Sequence, residues 1–257
     1  SFQHWNPYPI TIVKAKGAYA TDVDGRKLLD LSMGFGAMLA GHLNPKIVKA
    51  VKKALKNTGT LFVTPAVIST EAAERFQKRF GLDMLRFTNS GTESTLYAIR
   101  TAAAYTKKDG IAKIEGGYHG SGGPLMVSTK PPLDQIGSPE DPTPYVPPTA
   151  VAGEVHVVPY NNADSLERLF KKHASTIACL IMEPVLENIG IVLPDSGYLE
   201  RIRELCTEYD VVLIFDEVKT GLTAGPQGAS ERLGVNPDLI CLAKSIGGGI
   251  PLAAFGG

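Results

Sequence analysis

The chain has few cysteines and no excess of charge of either sign, and both absences exclude classes of protein. Its 257 residues include three cysteines, and none of them forms a C-x-x-C pair, so neither a disulfide framework nor a zinc-cysteine site is indicated. Cys179 and Cys241 lie in apolar runs, which is typical of free cysteines in a core. Lys and Arg together number 26, as do Asp and Glu, so no net field favours nucleic acid or an anionic membrane.

Long apolar runs are also absent. No segment approaches the roughly 20 apolar residues that a helix needs to cross a bilayer. The N-terminus lacks the basic segment followed by an apolar one that marks a secretory signal. These features favour a cytoplasmic protein, and a targeting segment removed before Ser1 is compatible with them. There is no internal repeat.

Short apolar runs alternate with amphipathic segments along most of the chain. This alternation is typical of an α/β fold in which helices cover a mostly parallel sheet. Reactive groups in such sheets gather where the strands end at their carboxyl side. The strands are predicted at residues 85–88, 111–114, 155–158, 177–182, 211–215 and 239–243. The helices are predicted to begin at Pro45 and to cover residues 70–80, 93–105, 163–172 and 197–209.

Two regions depart from this pattern. Residues 1–45 are predicted to be extended, with a strand from Tyr19, a turn at Asp24-Gly25 and a returning strand over residues 28–31. Residues 120–150 are rich in Gly, Pro, Ser and Thr and have no periodicity. A segment of that length is either a plain surface insertion or a functional loop such as an active-site lid.

Two polar segments directly follow predicted strands. Ser90-Gly91-Thr92 opens a helix, where backbone amides and hydroxyl groups form a site suited to phosphate. The alternative is an ordinary helix cap. Asp216 and Glu217 end an apolar run, which is the usual position of a catalytic or cofactor-binding acid. A helix cap or a surface ion pair is the alternative there.

Lys244 follows a third apolar strand and precedes three glycines. Partial burial at such a place lowers the pKa of an ammonium group, so the neutral amine needed for imine formation becomes available. The glycines let the backbone pass close to a ligand. An isolated lysine is far more often a surface charge, and the local setting alone does not reverse that preference.

The combination of these segments resembles the class III aminotransferases of fold type I, which use pyridoxal 5′-phosphate (PLP). The motifs shared with that family are Ser90-Gly91-Thr92, Gly116-Gly117-Tyr118-His119-Gly120 and the spacing of Asp216 and Lys244. Further matches are Gly25-Arg-Lys-Leu-Leu-Asp30, Gly41-His-Leu-Asn-Pro45, Glu183-Pro184-Val185, Asn188 and Gly256-Gly257. The resemblance therefore covers nearly the whole chain. Within the family it is strongest to the glutamate-1-semialdehyde aminomutase group and its transaminating relatives.

The resemblance implies a role for each main residue of the set. The Ser90-Gly91-Thr92 turn receives the cofactor phosphate, Tyr118 stacks on the pyridine ring and Val218 covers the opposite ring face. Asp216 pairs with the protonated ring nitrogen, which makes the cofactor an electron sink. Lys244 forms a Schiff base with PLP and then moves a proton between the substrate and the cofactor.

Four further residues complete the predicted site. Asn188 matches the position that reaches the phenolic oxygen of the cofactor in the aminomutase group, with a plain turn residue as the alternative. His119 either supports its loop or acts directly in catalysis. Glu183 ends a strand and is expected to support the cofactor. Phe35 either borders the substrate or is a core aromatic.

The family extends well beyond its lysine, whereas this chain ends 13 residues after Lys244. We therefore expect a C-terminal part to be missing, including a threonine that reaches the phosphate of the neighbouring subunit. Residues 1–45 are assigned to the N-terminal part of a small domain and residues 46–257 to an incomplete PLP-binding large domain. The resemblance also implies a homodimer with its active site at the subunit interface.

The predicted activity is PLP-dependent transfer of an amino group on an amino acid or amino ketone. An aminomutase, which moves the group within one substrate, and an inactive fragment that keeps the fold are the alternatives. A nicotinamide-binding protein fits the alternation of elements but would need a G-x-G-x-x-G turn after its first strand, which is absent. The expected partners are a small amino donor and a keto acceptor, with neither nucleic acid nor a membrane.

Overall fold

Twelve strands and seven α-helices are found in the residues that the computed structural model describes, which are 9–60, 64–148, 150 and 153–257. The strands are β1 (Ile12–Lys16), β2 (Tyr19–Asp22), β3 (Lys27–Leu29), β4 (Leu85–Thr88), β5 (Gly110–Ile114), β6 (Gly137–Ser138), β7 (Asp141–Pro142), β8 (Val155–Val158), β9 (Ile177–Met182), β10 (Val212–Asp216), β11 (Leu239–Leu242) and β12 (Ala253–Gly256). The helices are α1 (Pro45–Asn57), α2 (Val67–Phe80), α3 (Gly91–Thr106), α4 (Ala163–His173), α5 (Tyr198–Glu208), α6 (Thr220–Thr223) and α7 (Gly228–Leu233).

A seven-stranded sheet lies at the centre, in the order β4-β12-β11-β10-β9-β5-β8. Its strands pair in parallel except β12, which is antiparallel to both β11 and β4. The predicted α/β class with a mostly parallel sheet is therefore confirmed. The sequence analysis did not predict β12, because its run of Ala, Ala, Phe and Gly is too short and too small to stand out as a strand.

Helices cover both faces of this sheet. Every residue of β9 is buried, as is typical of a parallel strand with helices on either side. Its side chains alternate between two apolar clusters, with Leu180 and Met182 in one and Cys179 and Ile181 in the other. The first cluster includes residues of α4 and α5, and the second includes residues of α3. The strand is therefore the centre of a three-layer core.

The helix ends follow the sequence closely. Asn44 caps α1, since its side chain accepts from the backbone N–H groups of Lys46 and Ile47, and Pro45 is favoured in the first turn. The predicted stop of α2 is confirmed, because Gly81 adopts a left-handed conformation with φ +66°.

All three cysteines are free and buried, and burial raises the pKa of the Cys179 thiol to about 12.

The N-terminal region forms a separate antiparallel sheet of β1, β2 and β3. The predicted hairpin is confirmed, and Asp22 closes its turn by accepting from the backbone N–H groups of Asp24 and Arg26. β1 was not predicted. Residues 1–8 of the predicted extended region lie outside the described residues, and the assignment of 1–45 to a small domain stays a prediction.

The segment 120–150 contains two single turns of 3-10 helix and the two-residue strands β6 and β7, as far as its residues are described; residue 149 lies outside them. Several of its residues line the cavity discussed below, among them Met126, Thr129 and Tyr145. This position favours the functional alternative over a plain surface insertion.

None of the helices in the described ranges combines the length and the apolar character needed to cross a bilayer.

Candidate active site

A cavity of about 910 Å³ opens where β9, β10 and β11 end at their carboxyl side. All ten residues predicted for the cofactor site line it: Ser90, Gly91, Thr92, Tyr118, His119, Glu183, Asn188, Asp216, Val218 and Lys244. The fold thus brings together residues from four separate strand ends and one helix start. Their individual roles toward a cofactor stay predictions.

The N-terminus of α3 forms one wall of the cavity. Ser90 is the N-cap, and its Oγ accepts from the backbone N–H of Glu93 at 3.2 Å, so the helix-cap alternative is confirmed. This cap is compatible with an anion site, because the first amides of a helix have no partner within the helix and lie at the positive end of its dipole. The anion site therefore stays a prediction that the geometry permits.

Two glycines bring the walls of the cavity close together. A Cβ added to Gly91 would lie 3.1 Å from Cγ2 of Val218. A Cβ added to Gly120 would lie 2.8 Å from Cα of Thr92, and Gly120 has φ +94°. Thr95 fixes the same junction, since its Oγ1 donates to the carbonyl oxygen of His119 at 2.8 Å. A side chain at either glycine would push the helix away from its neighbours.

Asp216, the last residue of β10, is buried and has two protein partners. Its Oδ2 lies 2.8 Å from Nδ1 of His119, and its Oδ1 accepts from the backbone N–H of Val218 at 3.0 Å. His119 is also buried, and its Nε2 has no hydrogen-bond partner in the described part of the chain. This contact orients the Asp216 carboxylate. The two alternatives for His119, support of its loop and a direct role in catalysis, stay predictions.

Glu217 is directed to a different environment from that of Asp216. It is buried and accepts from the hydroxyl of Thr220 at 3.0 Å, from the backbone N–H of Ser230 at 2.9 Å, and from the N–H of Ala229 and the hydroxyl of Ser230. These contacts join the end of β10 to the start of α7. Of the two acids that the sequence placed together, only Asp216 lines the cavity.

Glu183 and Asn188 order the loop that carries Tyr118. Glu183 accepts from the backbone N–H groups of Tyr118 at 3.3 Å and of Glu187 at 3.1 Å. Burial raises the pKa of the Glu183 carboxyl, and the neighbouring Asp216 charge adds to this effect while His119 opposes it. Asn188 donates through Nδ2 to the carbonyl oxygen of Gly116 at 3.0 Å. Asn188 is therefore more than a plain turn residue, because its side chain joins two loops.

Lys244 lies two residues after the end of β11 and has a left-handed backbone with φ +48°. The pKa of its ammonium group is lowered chiefly by burial, and Lys219 adds to the effect while Asp216 opposes it. The setting predicted for a neutral amine is therefore present. An uncommon φ at a non-glycine residue costs backbone energy and is concentrated at functional sites.

Two of the three glycines after Lys244 let protein segments pack closely. A Cβ on Gly248 would lie 2.5 Å from Cδ1 of Ile47, and one on Gly249 would lie 2.7 Å from Sδ of Met38. The glycines thus allow α1 and the segment before it to pack against the Lys244 loop, although Gly249 also lines the cavity. The expectation that the glycines let the backbone pass close to a ligand stays a prediction.

Lys113 is a residue that the sequence analysis missed. It lies in the middle of β5 and is completely buried. Its Nζ donates to the carbonyl oxygens of Gly117 at 2.9 Å and of Val127, which lie on either side of the Tyr118 loop. Burial lowers the Lys113 pKa to about 8. The sequence signal that could have identified Lys113 is its position within the apolar run of β5.

Phe35 lines the cavity and is 56% exposed. The core alternative for Phe35 is therefore wrong, and its position fits a residue that borders a ligand. Ile250, Pro251 and Leu252 also line the cavity and were not predicted, because nothing in their sequence separates them from an ordinary loop.

Comparison with known proteins identifies the family. The family model described as "Aminotransferase class-III" matches residues 2–257. The chain belongs to the class III aminotransferase family. The resemblance noted in the sequence is thereby confirmed over almost its full length.

Similar sequences include two proteins named glutamate-1-semialdehyde 2,1-aminomutase. The protein from Persephonella marina is 43% identical over 250 residues, which are 97% of this chain and 58% of that protein. The protein from Methanocella arvoryzae is 41% identical over 252 residues, which are 98% of this chain and 58% of that protein. The chain thus spans somewhat more than half the length of the curated relatives it matches.

Solved structures of the family share the fold. An omega-transaminase from Sphaerobacter thermophilus has a TM-score of 0.90 and 38% identity, over 99% of this chain and 58% of that one. A glutamate-1-semialdehyde-aminomutase from Pseudomonas aeruginosa has a TM-score of 0.87 and 30% identity, over 97% of this chain and 53% of that one. The prediction of fold type I is confirmed.

Proposed function

We propose that the cavity binds PLP through Lys244 and that the protein transfers amino groups, as members of the class III family do. The observation that supports this most strongly is the position of Asp216 and Lys244. Asp216 ends β10 and Lys244 comes just after the adjacent parallel strand β11, in which Cys241 pairs with Asp216. An acid for the ring nitrogen and an amine for the aldehyde carbon thus lie at one edge of the sheet, beside the start of α3.

The residues of the cavity fit PLP in their chemistry. A phosphate suits the amides of Gly91 and Thr92 at the start of α3. A pyridinium nitrogen suits the buried Asp216 carboxylate, which His119 holds at 2.8 Å. We infer that Tyr118 and Val218 enclose the ring from its two faces.

When bound, PLP supplies an electron sink that makes the proton on the substrate α-carbon acidic. Lys244 then serves as the base that takes this proton and as the acid that returns it, since burial lowers the pKa of its ammonium group. Asp216 would pair with the ring nitrogen of bound PLP. Glu183 and Lys113 keep the loop bearing Tyr118 in place, so the orientation of the ring is maintained.

The first experiment tests the attachment of PLP. Purified protein is saturated with PLP, reduced with borohydride and digested, and peptide mass spectrometry locates the pyridoxyl group. We expect the label on Lys244, together with an absorbance near the edge of the visible range that is lost in Lys244→Ala. Lys219→Arg is the matched control, because Lys219 lines the same cavity and arginine keeps its positive charge. A label on another lysine, or an unchanged spectrum in Lys244→Ala, contradicts the proposal.

The second experiment separates a transaminase from an aminomutase. The similar sequences are named aminomutases, and one similar structure is named an omega-transaminase. A transaminase requires an external keto acid for each turnover, whereas an aminomutase moves the amino group within one molecule. We propose amino transfer on an amino acid or amino ketone. Turnover of glutamate-1-semialdehyde in the absence of any keto acid would favour the aminomutase alternative.

We further propose that the protein acts as a homodimer whose active site lies at the subunit interface. The support is an apolar rim, defined here as Phe35, Leu39, Leu43 and Ile250, which are 50–61% exposed. Phe35 and Ile250 line the cavity. Exposed apolar patches beside a cavity are typical of surfaces that another chain covers. An inactive fragment is the alternative, and a monomer that binds PLP without turnover would support it.

A further inference from the structure

A second cluster of reactive side chains lies away from the cavity. Glu154, His156 and His173 place one ligand atom each within 4.8 Å of one another. β8 is parallel to β5, and the pairs Ile111–Val155 and Ile114–Val158 show that both strands run toward the cavity edge. Glu154 precedes β8, so the cluster lies at the amino edge of the sheet, opposite the candidate active site.

The fold places the three side chains together from two elements. Glu154 and His156 are two positions apart at the start of β8, and alternate residues of an extended chain lie on the same face. His173 is the last residue of α4, from which the chain turns into β9. The imidazole rings of His156 and His173 have their centroids 4.7 Å apart and are inclined at 33°. The two histidines thus face each other across the turn.

Existing hydrogen bonds hold the carboxylate in position. Glu154 Oε1 lies 2.9 Å from Nε2 of His156 and accepts from the Thr176 hydroxyl at 2.6 Å. Ligands of a metal ion are commonly oriented by such an outer partner. Thr176 holds the Glu154 carboxylate beside His156 without being a ligand itself.

The set of donor atoms selects the kind of ion. Two imidazole nitrogens and one carboxylate oxygen, with one open position, are the ligands of many zinc sites. Ca²⁺ and Mg²⁺ prefer oxygen ligands only. Ligand atoms about 2.0–2.1 Å from a tetrahedral zinc ion are about 3.4 Å from one another. Small side-chain rotations are sufficient to reach that spacing from a cluster spanning 4.8 Å.

We propose that Glu154, His156 and His173 bind one Zn²⁺ ion at the amino edge of the sheet. Water occupies the fourth position, because the Glu154 and His173 side chains are exposed. The ion replaces the proton that His156 and Glu154 share and joins the end of α4 to the start of β8. The site lies apart from the cavity, and binding of the ion stabilises the folded chain.

Calorimetry on the PLP-loaded protein, without an affinity tag and stripped of metal by a chelator, tests this site. Titration with zinc chloride is expected to show one ion per chain. His156→Ala and His173→Ala are each expected to weaken zinc binding by at least about tenfold. His42→Ala is the matched control, because His42 also pairs with a carboxylate, that of Asp30, at 2.7 Å, and its loss should leave zinc binding unchanged.

A further variant addresses the case in which His156→Ala or His173→Ala fails to fold. Glu154→Gln keeps an acceptor for Thr176 but loses the anionic ligand, so it should weaken zinc binding while its thermal unfolding without metal stays unchanged. Substitution with Co²⁺ should give the intense visible bands of a four-coordinate site in the parent protein and in His42→Ala only. Equal zinc binding by a variant lacking both His156 and His173, or no binding at micromolar zinc, overturns the proposal.

Discussion

Asp216 and Glu217 are chemically alike and adjacent, yet they contact different parts of the molecule. Asp216 lines the cavity and is held by His119 and the N–H of Val218. Glu217 accepts from Thr220, Ala229 and Ser230 on the opposite side of the chain. Successive residues of an extended strand point in opposite directions, so a single step along the chain separates the acid that lines the cavity from the acid that joins β10 to α7.

Replacing each acid by its amide should separate these two roles. Asp216→Asn removes the charge that we propose pairs with the ring nitrogen of PLP, and we expect turnover to fall by about 10²–10³-fold with little change in stability. Glu217→Gln places an NH₂ group among four donors and should lower the free energy of unfolding by about 3 kcal/mol. Steady-state kinetics and urea unfolding measure the two effects. Similar losses of stability in both variants would contradict this division.

Lys219 should set the pH at which Lys244 reacts. The positive charge of Lys219 contributes to the lowered pKa of Lys244. Lys219→Ala therefore raises the Lys244 pKa, and less neutral amine is present at any pH below it. We expect the pH midpoint for attachment of PLP, followed by absorbance, to move upward in Lys219→Ala. Lys219→Arg keeps the charge and should retain the original midpoint, so an equal shift in both variants would exclude a charge effect.

At the scale of elements, the Tyr118 loop depends on the strand before it. Lys113 of β5 is buried, and its ammonium group donates to the carbonyl oxygens of Gly117 and Val127. These two acceptors flank the loop bearing Tyr118 and His119. Buried carbonyl groups that lose their donor are costly, so the lysine couples the order of this loop to the central sheet.

Lys113→Met keeps the apolar stem and removes the donor. We expect the free energy of unfolding to fall by about 2–3 kcal/mol and the affinity for PLP to weaken, because two buried carbonyl oxygens lose their partner. Urea unfolding and PLP titration measure these changes. Lys78→Met is the matched control, since Lys78 is an exposed residue of α2. Unchanged affinity and stability in Lys113→Met would show that other contacts hold the loop.

The sequence predicted the elements with strong patterns and missed those defined by tertiary contacts. The run of apolar residues in β9 and the glycine after α2 are local signals, and both were interpreted correctly. β12 was missed because it becomes a strand only by pairing with β4 and β11. The burial of Lys113 was missed for the same reason, since its acceptors belong to a loop without periodicity. Contacts distant in sequence leave no local pattern.

At the scale of the whole molecule, the parallel sheet has two different ends. The carboxyl edge holds the cavity, as expected for sheets of this kind. The cluster of Glu154, His156 and His173 lies at the amino edge. The first could be predicted because its residues follow strands and match a family. The cluster at the amino edge could not be predicted, because His173 is the last residue of α4 and its position depends on how that helix packs.

The apolar rim leads to the last prediction. Met38 lies against Gly249, so the segment carrying Phe35 and Leu39 is next to the loop carrying Ile250. Leu39 is 52% exposed and does not line the cavity. Leu39→Asp should therefore disrupt a dimer without removing a group that touches the cofactor. We expect its dimer dissociation constant to rise at least about tenfold, because two carboxylates, one from each subunit, must be desolvated in an apolar interface.

Sedimentation velocity over a range of protein concentrations measures this change. Tyr105→Asp is the matched control, since Tyr105 is 77% exposed near the end of α3 that points away from the cavity. If the site is shared between subunits, PLP affinity should fall together with the dimer fraction in Leu39→Asp and recover at high protein concentration. A Leu39→Asp protein that stays dimeric excludes the rim as the interface. A monomer with full PLP affinity and turnover would instead show that one chain suffices for the active site.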